Sequence, residues 1–366
     1  MVTRPMVGGG VGATGRGSGR TAIEAIGLGR RYRRRWALRD CTFRLPAGRI
    51  CALVGPAGAG KSTLLSLASG LARPTEGTVR VGGAGPATPS GRARVAYVAQ
   101  GKPLYPRWTV AETLRLGREL NPGHWNTRRA ERIVRDGRLP SDARVGALSG
   151  GQRTRLALAL ALAKEPELLL LDEPLADLDP LVRHRIVGLL LAEAAERGTT
   201  VVLTSQLLAE LDGVCDYLLV LGGGRVRLAG EVDDVIGAHA LVTGERRGAA
   251  LPPQIAAHTV VETQLTGSRF TAVVRRKGAV AAGPWETAEP SLEELLLAYV
   301  RAPDAPALIA PSAEPVSPRL RHRPGGPPGH KPGIPGMPRN GTPARPGPAG
   351  GAAHGGHHHS GKGAAA

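Results

Sequence analysis

The chain has 366 residues and a formal net charge of +18, from 48 Lys and Arg against 30 Asp and Glu. Three widely spaced cysteines exclude a disulfide framework and a cysteine zinc site, and no apolar run approaches the ~20 residues of a membrane span. Aromatics make up only 3% and much of the basic excess lies in the two ends; the rest is scattered arginine, which suits a solvated surface or an acidic membrane face as well as a nucleic acid.

Residues 1–20 are Gly-rich and without period, which predicts disorder. From Thr21 the chain alternates, with Ile23 and Ile26 before GRRYRRRWALRDCTFRL, and two antiparallel strands fit up to the turn at Pro46-Ala47-Gly48. Tyr32 stands there amid arginines, where it could stack on an adenine ring or be an ordinary strand aromatic. Cys41 and Cys51 sit in apolar runs and read as small core residues of a protein in a reducing compartment.

An apolar strand, Ile50 to Val54, then runs into GPAGAGKST, Gly55 to Thr63, followed by Leu64, Leu65, Leu67 and Ala68 at helical spacing. That is the strand, loop and helix context of a phosphate-binding loop, with Gly55, Gly60, Lys61 and Ser62 on the G-x-x-x-x-G-K-[ST] pattern. Gly55, Gly58 and Gly60 let the backbone curl so that several N–H groups point at one anion. Lys61 would reach the β- and γ-phosphates, and Ser62 would ligate Mg²⁺. The start of the helix at Ser62 and Thr63 adds its partial positive charge.

Gly77 to Gly82 and Arg94 to Ala99 read as further strands, the second ending at Gln100, whose amide is placed to meet Mg²⁺ or its water. Thr109 to about Asp136 has two helical stripes separated by Asn121-Pro122-Gly123 and reads as a helical insertion. In LSGGQRTRLALALALA, Ser149 caps a helix with Gln152 at capping-box spacing, while Gly150 and Gly151 expose backbone N–H groups as a second phosphate site. ELLLLDEP follows, a strand apolar on both faces. Asp172 emerges at its end to hold the Mg²⁺ water shell, and the adjacent Glu173 is a candidate base for an attacking water. A turn ending at Asp179, a helix from Leu181 to about Arg197, the strand Thr200 to Leu203 and Gln206 come next. A helix, strand and hairpin to Gly224 complete a core expected to close near Gly230.

Together these segments resemble the ATP-binding subunit of ABC transporters, over roughly Ile23 to Gly230. They contain the Walker A loop, the glutamine loop at Gln100, the LSGGQ signature, the Walker B strand with Glu173, and the D-loop at Asp179. The resemblance implies an α/β fold: a P-loop NTPase core with a parallel sheet, an antiparallel β subdomain and a helical insertion at about 101–164. It also implies that two cassettes pack head to tail, as homodimer or heterodimer. Ser149, Gly150, Gly151 and Gln152 of one would then cover ATP held with Mg²⁺ by the other, through Ser62, Gln100 and Asp172. Glu173 would activate water, with Gln206 standing where the family usually has a histidine. Some drug-export cassettes of the daunorubicin type share that glutamine.

Residues 231–302 are expected to form a small α+β appendage ending in the amphipathic helix SLEELLLAYV, and 303–366 a disordered Pro-, Gly- and His-rich tail. The histidines His354, His357, His358 and His359 read as solvated rather than as a metal site. The function expected from the resemblance is the ATP-hydrolysing subunit of an exporter of drug-like molecules. It would be held on the cytoplasmic face of the membrane by a separate permease, with nucleic acid not a partner. The alternatives are a soluble ABC ATPase with a non-transport role and an ATP-gated module with weak hydrolysis.

Overall fold

The structure, a computed structural model, describes residues 20–176, 178–205, 213–245 and 251–315. The disorder expected at 1–20 falls on residues outside these apart from Arg20, and Gln206 and the histidines from His354 lie outside them as well.

The alternating stretch from Thr21 becomes β1 (Thr21–Tyr32) and β2 (Arg35–Pro46), and with β4 (Glu76–Val81) they make an antiparallel sheet in the order β2-β1-β4. Between them in sequence lie β3 (Ile50–Val54) and α1 (Lys61–Ala68). The main sheet adds β5 (Val95–Val98), β6 (Leu168–Leu171), β7 (Thr200–Thr204), β8 (Tyr217–Gly222) and β9 (Arg225–Glu231). Its order from one edge is β9-β8-β3-β7-β6-β5, with only β8–β9 antiparallel. Every residue of β3, β6 and β7 is buried, because helices cover both faces, which is why these strands read as unbroken apolar runs. Ala52 packs with Leu158 and Ile186 on one face, and Leu53 with Leu65 on the other. Cys41 and Cys51 lie in that second cluster, fully buried, and burial pushes the Cys41 thiol up to about 11.

After α2 (Pro89–Arg94), the insertion contains α3 (Val110–Leu120), α4 (Thr127–Asp136) and α5 (Gly150–Ala163), and α6 (Pro180–Arg197) follows β6. Thr109 and Glu112 form a capping box on α3, and Asn126 caps α4. One ion pair ties the insertion to α6: Arg129 of α4 meets Glu193, whose side chain is only 1% exposed and also accepts from Thr199 Oγ1 at 3.1 Å. Removing one partner of a buried pair strands the other charge, a cost of about 3 kcal/mol. Glu193→Ala should therefore lower the urea midpoint by an amount equivalent to about 3 kcal/mol, and Arg129→Met, which strands the more deeply buried Glu193, should cost at least as much.

The appendage consists of α7 (Val232–Gly237), β10 (His239–Glu245), α8 (Pro253–Ala256), β11 (Thr259–Thr266), β12 (Arg269–Arg275), β13 (Trp285–Ala288) and α9 (Leu292–Arg301). Its antiparallel sheet runs β11-β12-β10-β13, over a small core of Ala240, Val242, Ile255 and Phe270. The amphipathic pattern of α9 is used: Leu295, Leu296 and Tyr299 belong to the main core.

Two expectations need correction. The sheet does not close near Gly230, and residues 303–315 of the expected tail carry structure. β14 (Leu308–Ile309) pairs in parallel with β9, Leu308 against Leu228, and becomes the edge strand. The Ala305 carbonyl accepts from Arg227, the Ala307 carbonyl accepts from Arg275 at 3.0 Å, and Ala313 is fully buried. A two-residue strand between prolines has no period to read, and alanines bury without marking themselves as apolar. Truncation after Ala302 should cost about 2–3 kcal/mol in lost burial and hydrogen bonds, about 5 °C in thermal midpoint. Truncation after Pro315 removes a segment poor in apolar residues and should leave the midpoint unchanged. Equal midpoints for the two would remove the structural role assigned to β14.

Candidate functional site

The phosphate loop leaves β3 at its carboxyl end and α1 begins at Lys61. Gly55 and Gly60 are required here. A Cβ on Gly55 would lie 2.3 Å from the Leu221 carbonyl, and one on Gly60, at φ 105°, would lie 2.5 Å from the Ala37 carbonyl. The backbone therefore turns against β8 and β2 with no room for a side chain.

A cavity of about 720 Å³ opens over the loop and is lined by Tyr32, by Gly55, Gly58, Gly60, Lys61, Ser62 and Thr63, and by Gln100 and Glu173. Lys61 Nζ donates to the Gly55 and Pro56 carbonyls at 2.7 and 3.2 Å. Burial lowers the Lys61 pKa, and the charges of Glu173 and Asp172 oppose that shift. Tyr32 stands at the mouth, 46% exposed, with the Arg30 guanidinium 4.6 Å from its ring centroid.

The two carboxylates of the β6 end are held differently. Asp172 is 4% exposed and does not line the cavity. Thr204 Oγ1 donates to its Oδ1 at 3.0 Å and Tyr97 OH to its Oδ2 at 3.4 Å. The Tyr97 hydroxyl is pushed up to about 12, first by burial and then by the charge of Asp172. Glu173 faces the cavity, and Gln100 Nε2 donates to its Oε2 at 2.6 Å. Its backbone is left-handed, φ 47°, and its N–H donates to Thr204 Oγ1 at 2.7 Å. A non-glycine residue in that region stores strain, of order 1–3 kcal/mol. Thr204 and Tyr97 were missed by the sequence reading. The only signal was position: Thr204 ends the strand beside β6, and Tyr97 precedes Gln100 by three residues.

The signature residues stand elsewhere. Ser149 caps α5 in a capping box with Gln152, accepting from its N–H at 3.2 Å and donating its own N–H to Gln152 Oε1 at 3.0 Å. Gly150 is exposed, while a Cβ on Gly151 would lie 2.7 Å from Val182 of α6. None of the four lines the phosphate-loop cavity. Asp179 caps α6, accepting from the Val182 N–H at 3.0 Å. The chain thus brings Tyr32, the phosphate loop, Gln100 and Glu173 together, and leaves Ser149 to Gln152 outside that group.

A sequence profile described as ABC transporter matches residues 38–176, and one described as "AAA domain, putative AbiEii toxin, Type IV TA system" matches 147–212. The Nod factor export ATP-binding protein I of Rhizobium etli is 36% identical over 224 residues, covering 59% of this chain and 70% of that protein. The chain belongs to the ABC transporter family. Its chemistry is ATP hydrolysis, and it is an ATP-binding subunit of such a transporter. The molybdenum import ATP-binding protein ModC of Mycobacterium tuberculosis is 37% identical over 214 residues, 54% of this cassette and 58% of that protein. The fold likewise matches a solved cassette dimer in a post-hydrolysis state bound to ADP and Pi. There the TM-score is 0.52 at 25% identity, over 57% of this cassette and 98% of that chain. The α/β P-loop fold expected from the sequence is therefore the one present. The relatives' names include both export and import, so the ABC transporter family is shown and the expected drug-export type is not.

Proposed function

We propose that this cassette powers export of an amphipathic, drug-like molecule through a separate membrane permease. The observation that bears most of this reading is the single cavity in which Lys61, the phosphate loop, Gln100 and Glu173 converge. The phosphate-loop N–H groups and Lys61 bind the β- and γ-phosphates, and adenine stacks on Tyr32. Glu173 accepts the proton of the attacking water, and Gln100 fixes its carboxylate at 2.6 Å. Thr204 spans the two acidic residues, accepting from the Glu173 backbone N–H and donating to the Asp172 carboxylate.

Mg²⁺ suits the hard oxygen donors here, the Ser62 hydroxyl, the Gln100 amide oxygen and the Asp172 carboxylate. Asp172 lies behind the cavity wall, so it would act through water. When bound, the ion would neutralise phosphate charge.

A second cassette completes the site in this reading. Ser149 to Gln152 present a helix N-terminus outside their own chain's cavity, where they would meet the nucleotide of a second cassette, in a homodimer or a heterodimer. Among the described residues no helix is long and apolar enough to cross a membrane, which fits a cassette held at the inner membrane face by its permease. Export is favoured by the Nod factor export relatives, of which the chain covers 65–73%, against 58% of the molybdenum importer. Inside-out vesicles holding the chain and the membrane protein encoded beside it should accumulate a fluorescent amphipathic drug when Mg-ATP is added. Molybdate transport instead would reverse the direction, and turnover without transport of either would overturn the export reading.

A further inference from the structure

The helix α9 reaches the phosphate-loop cavity. α9 is firmly seated: a capping box of Ser291 and Glu294 starts it, and Leu295, Leu296 and Tyr299 are at most 1% exposed. The Tyr299 hydroxyl meets His239 Nε2 at 3.0 Å, and His239 Nδ1 meets the Val235 carbonyl at 2.7 Å. This buried chain of contacts joins α9 to α7 and β10 and fixes its rotation about its own axis. Leu297 and Val300, three residues apart, therefore share one helix edge. Both are half-buried, and both line the cavity formed by the phosphate loop, Gln100 and Glu173.

A leucine and a valine cannot bind an anion, yet they occupy the wall of a cavity built around one. An apolar wall can bury nucleotide surface and exclude water, and lower local polarity strengthens the attraction between phosphate and Lys61. We propose that Leu297 and Val300 are nucleotide-contacting residues, so that a bound nucleoside triphosphate rests against α9 and ties the appendage to the state of the site. The coupling is reciprocal: whatever α9 adds to nucleotide affinity, nucleotide adds to the seating of α9. The inference rests on the reading that this cavity holds ATP.

The test uses the full-length chain and Mg-ATP. Calorimetry on the Leu297→Ala/Val300→Ala double variant should show a Kd raised about tenfold, with Leu297→Met close to the parent. Amide exchange across Leu295–Arg301 in the unmutated chain should slow when ATP is added. A folded double variant with an unchanged or tighter Kd overturns the proposal whatever the exchange shows. If that variant fails to fold, exchange in the parent decides alone, and no protection of α9 by ATP overturns it. Failure of the parent to bind ATP would instead remove the reading of the cavity itself, an outcome separable from the others.

Discussion

Glu173→Gln is expected to bind Mg-ATP as tightly as the parent and to hydrolyse it at least 100-fold more slowly. The substitution keeps the length and shape of the side chain and removes its capacity to accept a proton. That matters because Glu173 is the carboxylate that faces the cavity, whereas Asp172 is buried behind it under Thr204 and Tyr97. The left-handed backbone at Glu173, φ 47°, aims its side chain forward from a strand end, where it meets Gln100 at 2.6 Å. A strained conformation of this kind persists only where its surroundings hold it, here through the N–H bond to Thr204. In the variant the amide can still bond to Gln100, so the site should remain assembled. Nucleotide binding without turnover should then trap the two-cassette state. Phosphate release and gel filtration with and without ATP are the measurements. A variant that stays monomeric in ATP and turns over at the parent rate would remove Glu173 from the role of base.

How far the sequence reached depended on how local each feature is. The phosphate loop was legible because an apolar run, glycines at fixed spacing and a helical stripe are contiguous. The capping box of Ser149 and Gln152 was legible for the same reason, since both of its bonds close within four residues. Thr204 was not, because its two bonds depend on β6 and β7 lying side by side, with Leu171 opposite Leu203. The link from Gln100 to Glu173 likewise needs β5 and β6 paired, with Val98 opposite Leu171. The helical stripe of α9 announced an apolar face but could not say what that face meets. Its inner side joins the main core and its edge reaches the nucleotide cavity. β14 left no trace, since its pairing with β9 bridges some 80 residues and its own stretch is two residues long.

Lys61→Met is expected to weaken ATP binding about 100-fold while keeping the fold. The ammonium donates to the Gly55 and Pro56 carbonyls and closes the loop upon itself. Those carbonyls hold the charge where a phosphate would arrive, and the bonds must be exchanged for bonds to phosphate oxygens. Hydrogen bonds between charged partners contribute about 1.5–3 kcal/mol each, so losing two costs about 3 kcal/mol or more, near 100-fold in affinity. The lysine is 9% exposed, so Lys61→Ala would mix lost packing with lost charge, whereas methionine keeps most of the buried stem. Lys61→Arg should not restore binding, because its larger planar guanidinium has no space at a position enclosed by the loop. Calorimetry with Mg-ATP gives the affinity, and the thermal midpoint without nucleotide checks the fold. Parent-like affinity in the methionine variant would show that the backbone N–H groups hold the phosphates unaided and that the Lys61 charge does something else.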